Sequence, residues 1–246
     1  MRQFGLIGYP LSHSFSKKYF TEKFQHEGIP GCAYENYPIA SINELNNVLH
    51  GAPAPEGLNV TIPYKESVLP FLHYQSEVVR EIKACNCIKI SNGRLSGYNT
   101  DVTGFEISLR EQLQPHHRNA LILGTGGAAK AVEWVLRKLG ISYQYVSRQE
   151  KQSALGYEQV TPALLENTQL IINTTPLGMY PAVDNFPPIP YEALGHQHYL
   201  FDLVYNPART LFLQKGEARG ASVKNGQDML VIQAEESWRI WNDSTL

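Results

Sequence analysis

The sequence predicts an α/β chain of two domains, and three observations carry that reading. Short apolar runs alternate with helix-like stretches along the chain, the pattern of sheets covered by helices. The pattern restarts after Pro115-His-His-Arg-Asn119, a polar stretch that reads as surface connection and leads into a strand with a glycine-rich turn. The chain has 246 residues, 43% of them hydrophobic, enough to bury one large core or two modest ones.

Taken in order, strands are expected at 3–7, 33–37, 58–62, 84–90, 119–123, 143–146, 170–173 and 199–202. The first helix is expected to start with Ser16 as N-cap, Phe15 and Phe20 standing at the two positions of a hydrophobic staple. A helical run covers 131–139, and the chain closes on a helix over 226–241 with the apolar stripe Leu230, Ala234, Trp238 and Trp241. On that helix Glu235-Glu236 reads as a solvated face.

The bulk numbers exclude several classes. A formal charge of −2 with no Lys/Arg run leaves no footprint for nucleic acid or a membrane surface. No segment reaches the roughly 18 apolar residues of a membrane span, and the start lacks the apolar run of a signal peptide. A cytoplasmic location is expected. Cys32, Cys85 and Cys87 are an odd number without zinc-knuckle spacing, so they read as free core thiols. The eight histidines are scattered, His116-His117 and His196/His198 lying in loops, and no metal is expected. The partners are therefore small molecules, with monomer and homodimer both open.

The segment Leu121-Ile-Leu-Gly124-Thr-Gly126-Gly127-Ala128-Ala129 runs a buried strand into Gly-x-Gly-x-x-Ala and then a helix. Glycines permit the tight turn and a close backbone approach to a pyrophosphate, and the helix presents free amides to it. The bare motif is weak. With the strand before it, the helix after it and the next strand at 143–146, it completes a dinucleotide-binding unit. That next strand ends in Ser147-Arg148, where an NAD site usually carries an acid. Arg148 pairs with a 2′-phosphate or is an ordinary loop cation; Lys151 is a second phosphate contact or simply solvated. The first reading makes the cofactor NADP. The strand at 170–173 ends in Thr-Thr-Pro-Leu-Gly178-Met179, a polar turn at the sheet edge where ligands of open α/β sheets bind.

In the first half, Asn59-Val-Thr61-Ile-Pro-Tyr-Lys65 is a strand halted by proline, with Asn59 and Thr61 pointing away from Val60 and a lysine at an expected helix start. A helix's positive end disfavours an ammonium and would lower its pKa. Lys65 is thus either a catalytic amine or a solvated first-turn cation.

The runs Gly5-Leu-Ile-Gly-Tyr-Pro-Leu-Ser-His-Ser14-Phe-Ser16, Asn59-Val-Thr-Ile-Pro-Tyr-Lys65-Glu, Ala84-Cys-Asn86-Cys, Gly97-Tyr-Asn99-Thr-Asp101-Val-Thr-Gly104, Gly124-Thr-Gly-Gly-Ala-Ala, Asn173-Thr-Thr-Pro-Leu-Gly-Met179, Asp202-Leu-Val-Tyr205-Asn-Pro and Asn225-Gly226-Gln-Asp-Met229-Leu-Val-Ile-Gln233-Ala together resemble the shikimate dehydrogenase family. The match runs in order over nearly the whole chain. It implies an N-terminal α/β substrate domain formed by residues 1–102 with 225–246, the C-terminal helices returning to it, and a Rossmann-type NADP-binding domain at 103–224. The implied activity is reduction of 3-dehydroshikimate, with Lys65 as general acid/base and Asp101 orienting it. Substrate contacts carried over are Ser14, Ser16, Thr61, Asn86, Asp101, Tyr205 and Gln233. On the cofactor side they are Glu77, Gly124, Gly126, Gly127, Ala128, Ala129, Ser147, Arg148, Met179, Val204 and Gly226. Glu77 is equally readable as a solvated helix acid.

Departures from the family pattern are Lys17 where proline is frequent, Gln149 where threonine is common after the arginine, and trimming around 149–162. Two rival functions remain at this level: a quinate/shikimate dehydrogenase using NAD, and a non-catalytic sensor that binds a nucleotide and a small acid.

Overall fold

A computed structural model describes residues 1–11, 15–148 and 154–245. The chain divides into two compact units, residues 1–103 with 233–246 and residues 104–232.

The first unit begins β1 (Arg2–Gly8), α1 (Phe15–His26), β2 (Cys32–Pro38), α2 (Leu45–Leu49) and β3 (Pro55–Val60), then β4 (Tyr74–Gln75), α3 (Glu77–Ile82), β5 (Cys87–Ser91) and β6 (Arg94–Tyr98). Its sheet order is β2-β1-β3-β5-β6-β4. β1 pairs parallel with β2 and β3, while β3–β5 and β5–β6 are antiparallel. Both sheet faces are buried, and the alternation along β1 shows how. Phe4 and Leu6 pack with Phe20, Phe24, Ala234 and Trp241, whereas Ile7 packs with Leu45, Leu58, Val60 and Val79 on the opposite face. Trp241 satisfies its indole N–H on the Ile88 carbonyl at 3.0 Å, as a buried tryptophan must.

Helix α4 (Thr100–Arg110) carries the chain into the second unit. There follow β7 (Asn119–Leu123), α5 (Gly127–Lys138), β8 (Ser142–Ser147), β9 (Ala154–Gly156), α6 (Pro162–Glu166), β10 (Leu170–Asn173), β11 (Tyr199–Asp202), α7 (Leu211–Glu217), β12 (Ser222–Lys224) and α8 (Gln227–Asn242). The sheet is wholly parallel, in the order β12-β11-β10-β7-β8-β9. Strand order reverses between β7 and β10, the switch point at which open α/β sheets bind ligands beyond their carboxyl ends. Parallel strands covered on both faces read as continuous apolar runs; Leu121, Ile122, Leu123, Ile171 and Ile172 are all fully buried.

Three expectations about local structure are corrected. Helix α1 begins at Phe15, which places Ser16 in its first turn rather than at the cap, and Phe15 stacks on Tyr19 at 5.4 Å while Phe20 lies in the core against Tyr34. No α-helix starts at Lys65, which lies in an irregular turn after β3, so there is no helix dipole to act on it. Strand β6 is an addition to the expected set, although its signal is present. Asn92 and Gly93 have φ of 50° and 73° and join the paired residues Ser91 and Arg94, the Asn-Gly hairpin turn whose twist suits antiparallel strands.

Candidate active site

In the first unit the ammonium of Lys65 lies 2.7 Å from a carboxylate oxygen of Asp101, both side chains partly exposed at 23% and 14%. Asp101 occupies the first turn of α4, where a negative charge is stabilised by the unpaired amides. Lys65 is held from the other side by its backbone, its carbonyl accepting from Cys85 N at 2.8 Å. The pair therefore joins the turn after β3 to the start of α4.

A buried chain of polar groups positions the residues around it. The Asn86 side-chain oxygen Oδ1 accepts from Thr100 N at 2.7 Å and its side-chain amide nitrogen donates to Thr100 Oγ1 at 3.0 Å. Thr100 Oγ1 lies 3.4 Å from Gln233 Oε1 and 3.3 Å from Ser237 Oγ. Asn59 donates to Ser237 Oγ at 2.9 Å and accepts from the Tyr34 hydroxyl at 2.8 Å. Tyr34, whose hydroxyl is pushed well up by burial, also bonds the Ser16 side chain. Satisfied buried networks of this kind fix one arrangement of their members. Asn86 and Gln233 are thus brought together on Thr100, the residue before Asp101. Thr61 lies in the turn leading to Lys65, its carbonyl accepting from Tyr64 N at 2.9 Å.

Asn59 stands at the end of β3 and points away from Val60 as expected, but it is buried, 4% exposed, and serves the network on the helix-covered face. Glu235 keeps its side chain 42% exposed but is not free in solvent. It receives the Tyr19 hydroxyl and the Lys23 ammonium, the latter at 2.9 Å, tying α8 to α1. Tyr34, Thr100 and Ser237 escape a sequence reading because nothing local distinguishes a buried hydroxyl from a surface one. Ser14 lies outside the described residues, as do His13, Gln149 and Lys151. Glu77 is an exposed first-turn acid of α3, following the Ser76 N-cap.

In the second unit a cavity of about 300 Å³ opens at the switch point, lined by Gly124, Gly126, Ser147, Arg148, Tyr157 and the 174–177 turn among others. Gly124 has φ +110°, and a Cβ there would stand 2.7 Å from Thr174 Oγ1, so only glycine suits the turn. At Gly126 and Gly127 an added Cβ would meet nothing within 4 Å. The backbone is thus bared where α5 begins, a cradle suited to a pyrophosphate. Ala128 and Ala129 continue the first turn of α5, Ala129 fully buried against the sheet.

The 174–179 turn is pinned by a second network. Asn173, wholly buried, donates to Asp202 Oδ1 at 2.9 Å and accepts from Thr175 N and Oγ1 at 3.0 and 2.6 Å. Asp202 also accepts from Val204 N at 3.0 Å and Thr210 Oγ1 at 2.5 Å. Burial pushes the Asp202 carboxyl up to about 6, against the pull of these three donors. Met179, 45% exposed, thus projects from an anchored turn, and Val204 and Tyr205 follow the anchored end of β11. Gly226 meets the Leu203 backbone so closely that a Cβ would clash at 2.2 Å, so its glycine is required by packing. Neither Asn173 nor Asp202 stands out in the sequence as a positioning pair, because their meeting depends on the parallel register of β10 and β11.

A doubly wound parallel sheet with a glycine turn at its switch point, in a chain whose other α/β unit holds a lysine–carboxylate pair, defines a dinucleotide-binding α/β protein. A family model described as the shikimate dehydrogenase substrate binding domain matches residues 6–88. The NADP+ shikimate dehydrogenase of Desulforamulus reducens is 34% identical over 98% of this chain and 90% of that protein. A shikimate dehydrogenase solved with NADP+ has a TM-score of 0.86 at 31% identity, covering 98% of this chain and 90% of the other. The shikimate 5-dehydrogenase of Thermus thermophilus, solved with NADP(H) and shikimate, has a TM-score of 0.86 at 29% identity over 98% and 94% of the two chains. The chain belongs to the shikimate dehydrogenase family.

Proposed function

We propose that this chain is an NADP-dependent shikimate dehydrogenase that interconverts 3-dehydroshikimate and shikimate on the route to chorismate and the aromatic amino acids. The observation that carries the reading is the Lys65–Asp101 pair at 2.7 Å, set beside the Asn86–Thr100–Gln233 cluster in the unit that contains the matched substrate-binding segment.

When bound, NADPH supplies the hydride. Lys65 holds the proton at Nζ and delivers it to the oxygen of the carbonyl being reduced; in the opposite direction the same nitrogen receives it. Such general acid–base catalysis contributes about 10²–10⁴ in rate. Asp101 keeps the ammonium oriented and leaves its second carboxylate oxygen for a ring hydroxyl. Thr61, Asn86 and Gln233 hold the other ring hydroxyls, and Ser14, Ser16 and Tyr205 take the carboxylate. The residues of the second unit fit a dinucleotide. The bare backbone at Gly126 and Gly127 would accept the pyrophosphate, with Gly124, Ala128 and Ala129 shaping the turn. Ser147 and Arg148 would take the adenosine 2′-phosphate, while Met179, Val204, Gly226 and Glu77 complete the cofactor side.

The deciding assay offers shikimate or quinate with NADP+ or NAD+ and follows absorbance at the NADPH band. Turnover with shikimate and NADP+ far above the other three combinations is expected. Dominant quinate/NAD+ turnover, or none with any pair, overturns the reading.

A further inference from the structure

The two phosphate sites read in the second unit stand on different elements. The bare backbone of Gly126 and Gly127 opens α5, and Arg148 follows the end of β8. Their separation therefore depends on how α5 is set against β8. Ala129, Ala131, Val132, Val135 and Leu136 of the helix are buried, but apolar burial is non-directional and does not by itself fix slide or rotation.

Glu133 supplies a directional contact. Its carboxylate accepts from the Tyr143 hydroxyl at 2.7 Å on Oε1 and from the Tyr145 hydroxyl at 2.6 Å on Oε2. The two tyrosines stand two residues apart and so share one face of β8, their rings edge to face at 5.9 Å. The Tyr145 hydroxyl also lies 3.4 Å from the Ala129 carbonyl, one helical turn nearer the glycines. Burial and then the bond to Glu133 push both phenols up, Tyr143 to about 12, so both remain donors. All three residues are half-buried, and a carboxylate bridging two hydroxyls holds helix to strand at two points. Nothing local in the sequence links an acid to tyrosines ten and twelve residues further on.

A ligand carrying both phosphates gains over one carrying either only when the two sites are spaced to be met together. That gain is an effective concentration, and it is lost when the spacing is wrong.

We propose that Glu133 is a positioning residue for the cofactor: by gripping Tyr143 and Tyr145 it fixes the span from the glycine cradle of α5 to Arg148, so that one dinucleotide meets both. This rests on the NADP reading above, and the test separates the two. Titration calorimetry of the intact chain is run with AMP, adenosine 2′-monophosphate and adenosine 2′,5′-bisphosphate, none of which involves hydride chemistry. The unaltered chain is expected to bind the bisphosphate more tightly than either monophosphate. Glu133→Ala is expected to weaken bisphosphate binding about tenfold and to leave both monophosphates unchanged, which also reports that the variant is folded. Charge alone predicts the opposite sign, since removing an acid near an anion site favours the anion. The double variant Tyr143→Phe, Tyr145→Phe keeps the carboxylate and the rings, and is expected to reproduce the pattern. Unchanged bisphosphate affinity in either variant, equal weakening toward all three ligands, or loss of folding in both variants overturns the role of Glu133 while leaving the NADP reading standing. No preference for the bisphosphate in the unaltered chain overturns both.

Discussion

The two units build their sites by different means. In the first, the side chains satisfy one another: Tyr34, Asn59, Ser237, Thr100 and Asn86 form one continuous buried chain, and Asp101, the residue after Thr100, pairs with Lys65. In the second, the site is backbone and register, with glycines clearing space and strand ends aligned across four strands. Proton transfer needs two atoms held at fixed distance, which interlocked side chains provide. A dinucleotide is long and bears its charge on phosphates, so it is better met by amides at a helix start.

The largest effect that tests this contrast is expected from Lys65→Ala. It should lower kcat by about 10²–10⁴ with little change in KM for shikimate and none in bisphosphate affinity. A near-normal kcat would remove Lys65 from the mechanism. Asn59→Ala comes next, since it leaves the buried Tyr34 hydroxyl without its acceptor and costs about 2–3 kcal/mol of stability. Denaturant melts should register that loss together with reduced kcat, and unaltered activity would mean that the network does not position the pair.

Gly124→Ala, by contrast, should act on the second unit alone. A side chain at φ +110° that also meets Thr174 costs about 1–3 kcal/mol, read as lower thermal stability and weaker AMP binding. An unaffected nucleotide affinity would show that the turn is not the cradle. The smallest effect concerns His117, which is 5% exposed, accepts from Gln114 N at 3.0 Å, and is held down to about 4, chiefly by burial and then by the neighbouring His116. Its unfolded form takes up a proton near pH 6.5 and its folded form only near 4, so its contribution to stability is complete above the unfolded value and is lost as pH falls through that window. His117→Gln should flatten the decline in unfolding free energy between about pH 7 and 4; an identical decline in both proteins would contradict a neutral buried ring.

Much of this molecule is legible in one dimension where a single stretch does the whole job. Strands β7, β10 and β11 stand where their apolar runs place them, because a strand buried on both faces carries its own signal. β6 is equally legible through Asn92-Gly93, a hairpin signal that the apolar runs alone do not bring out, whereas β4, β9 and β12, of two or three residues, are too short to show periodicity. The dipole argument for Lys65 fails because it assumes a helix from local pattern; the partner that matters, Asp101, is 36 residues away.

By itself, then, the sequence determined the α/β class, the glycine turn and the family, since each is written in contiguous residues or in the order of short motifs. Only the tertiary structure decided that Asn59 belongs to the buried network, that Asp202 anchors the 174–179 turn, and that Glu133 meets Tyr143 and Tyr145. Those relations are made by strand pairing and by packing of distant segments. A hydrogen bond or ion pair depends on distances of a few ångströms in space, which spacing along the chain does not encode.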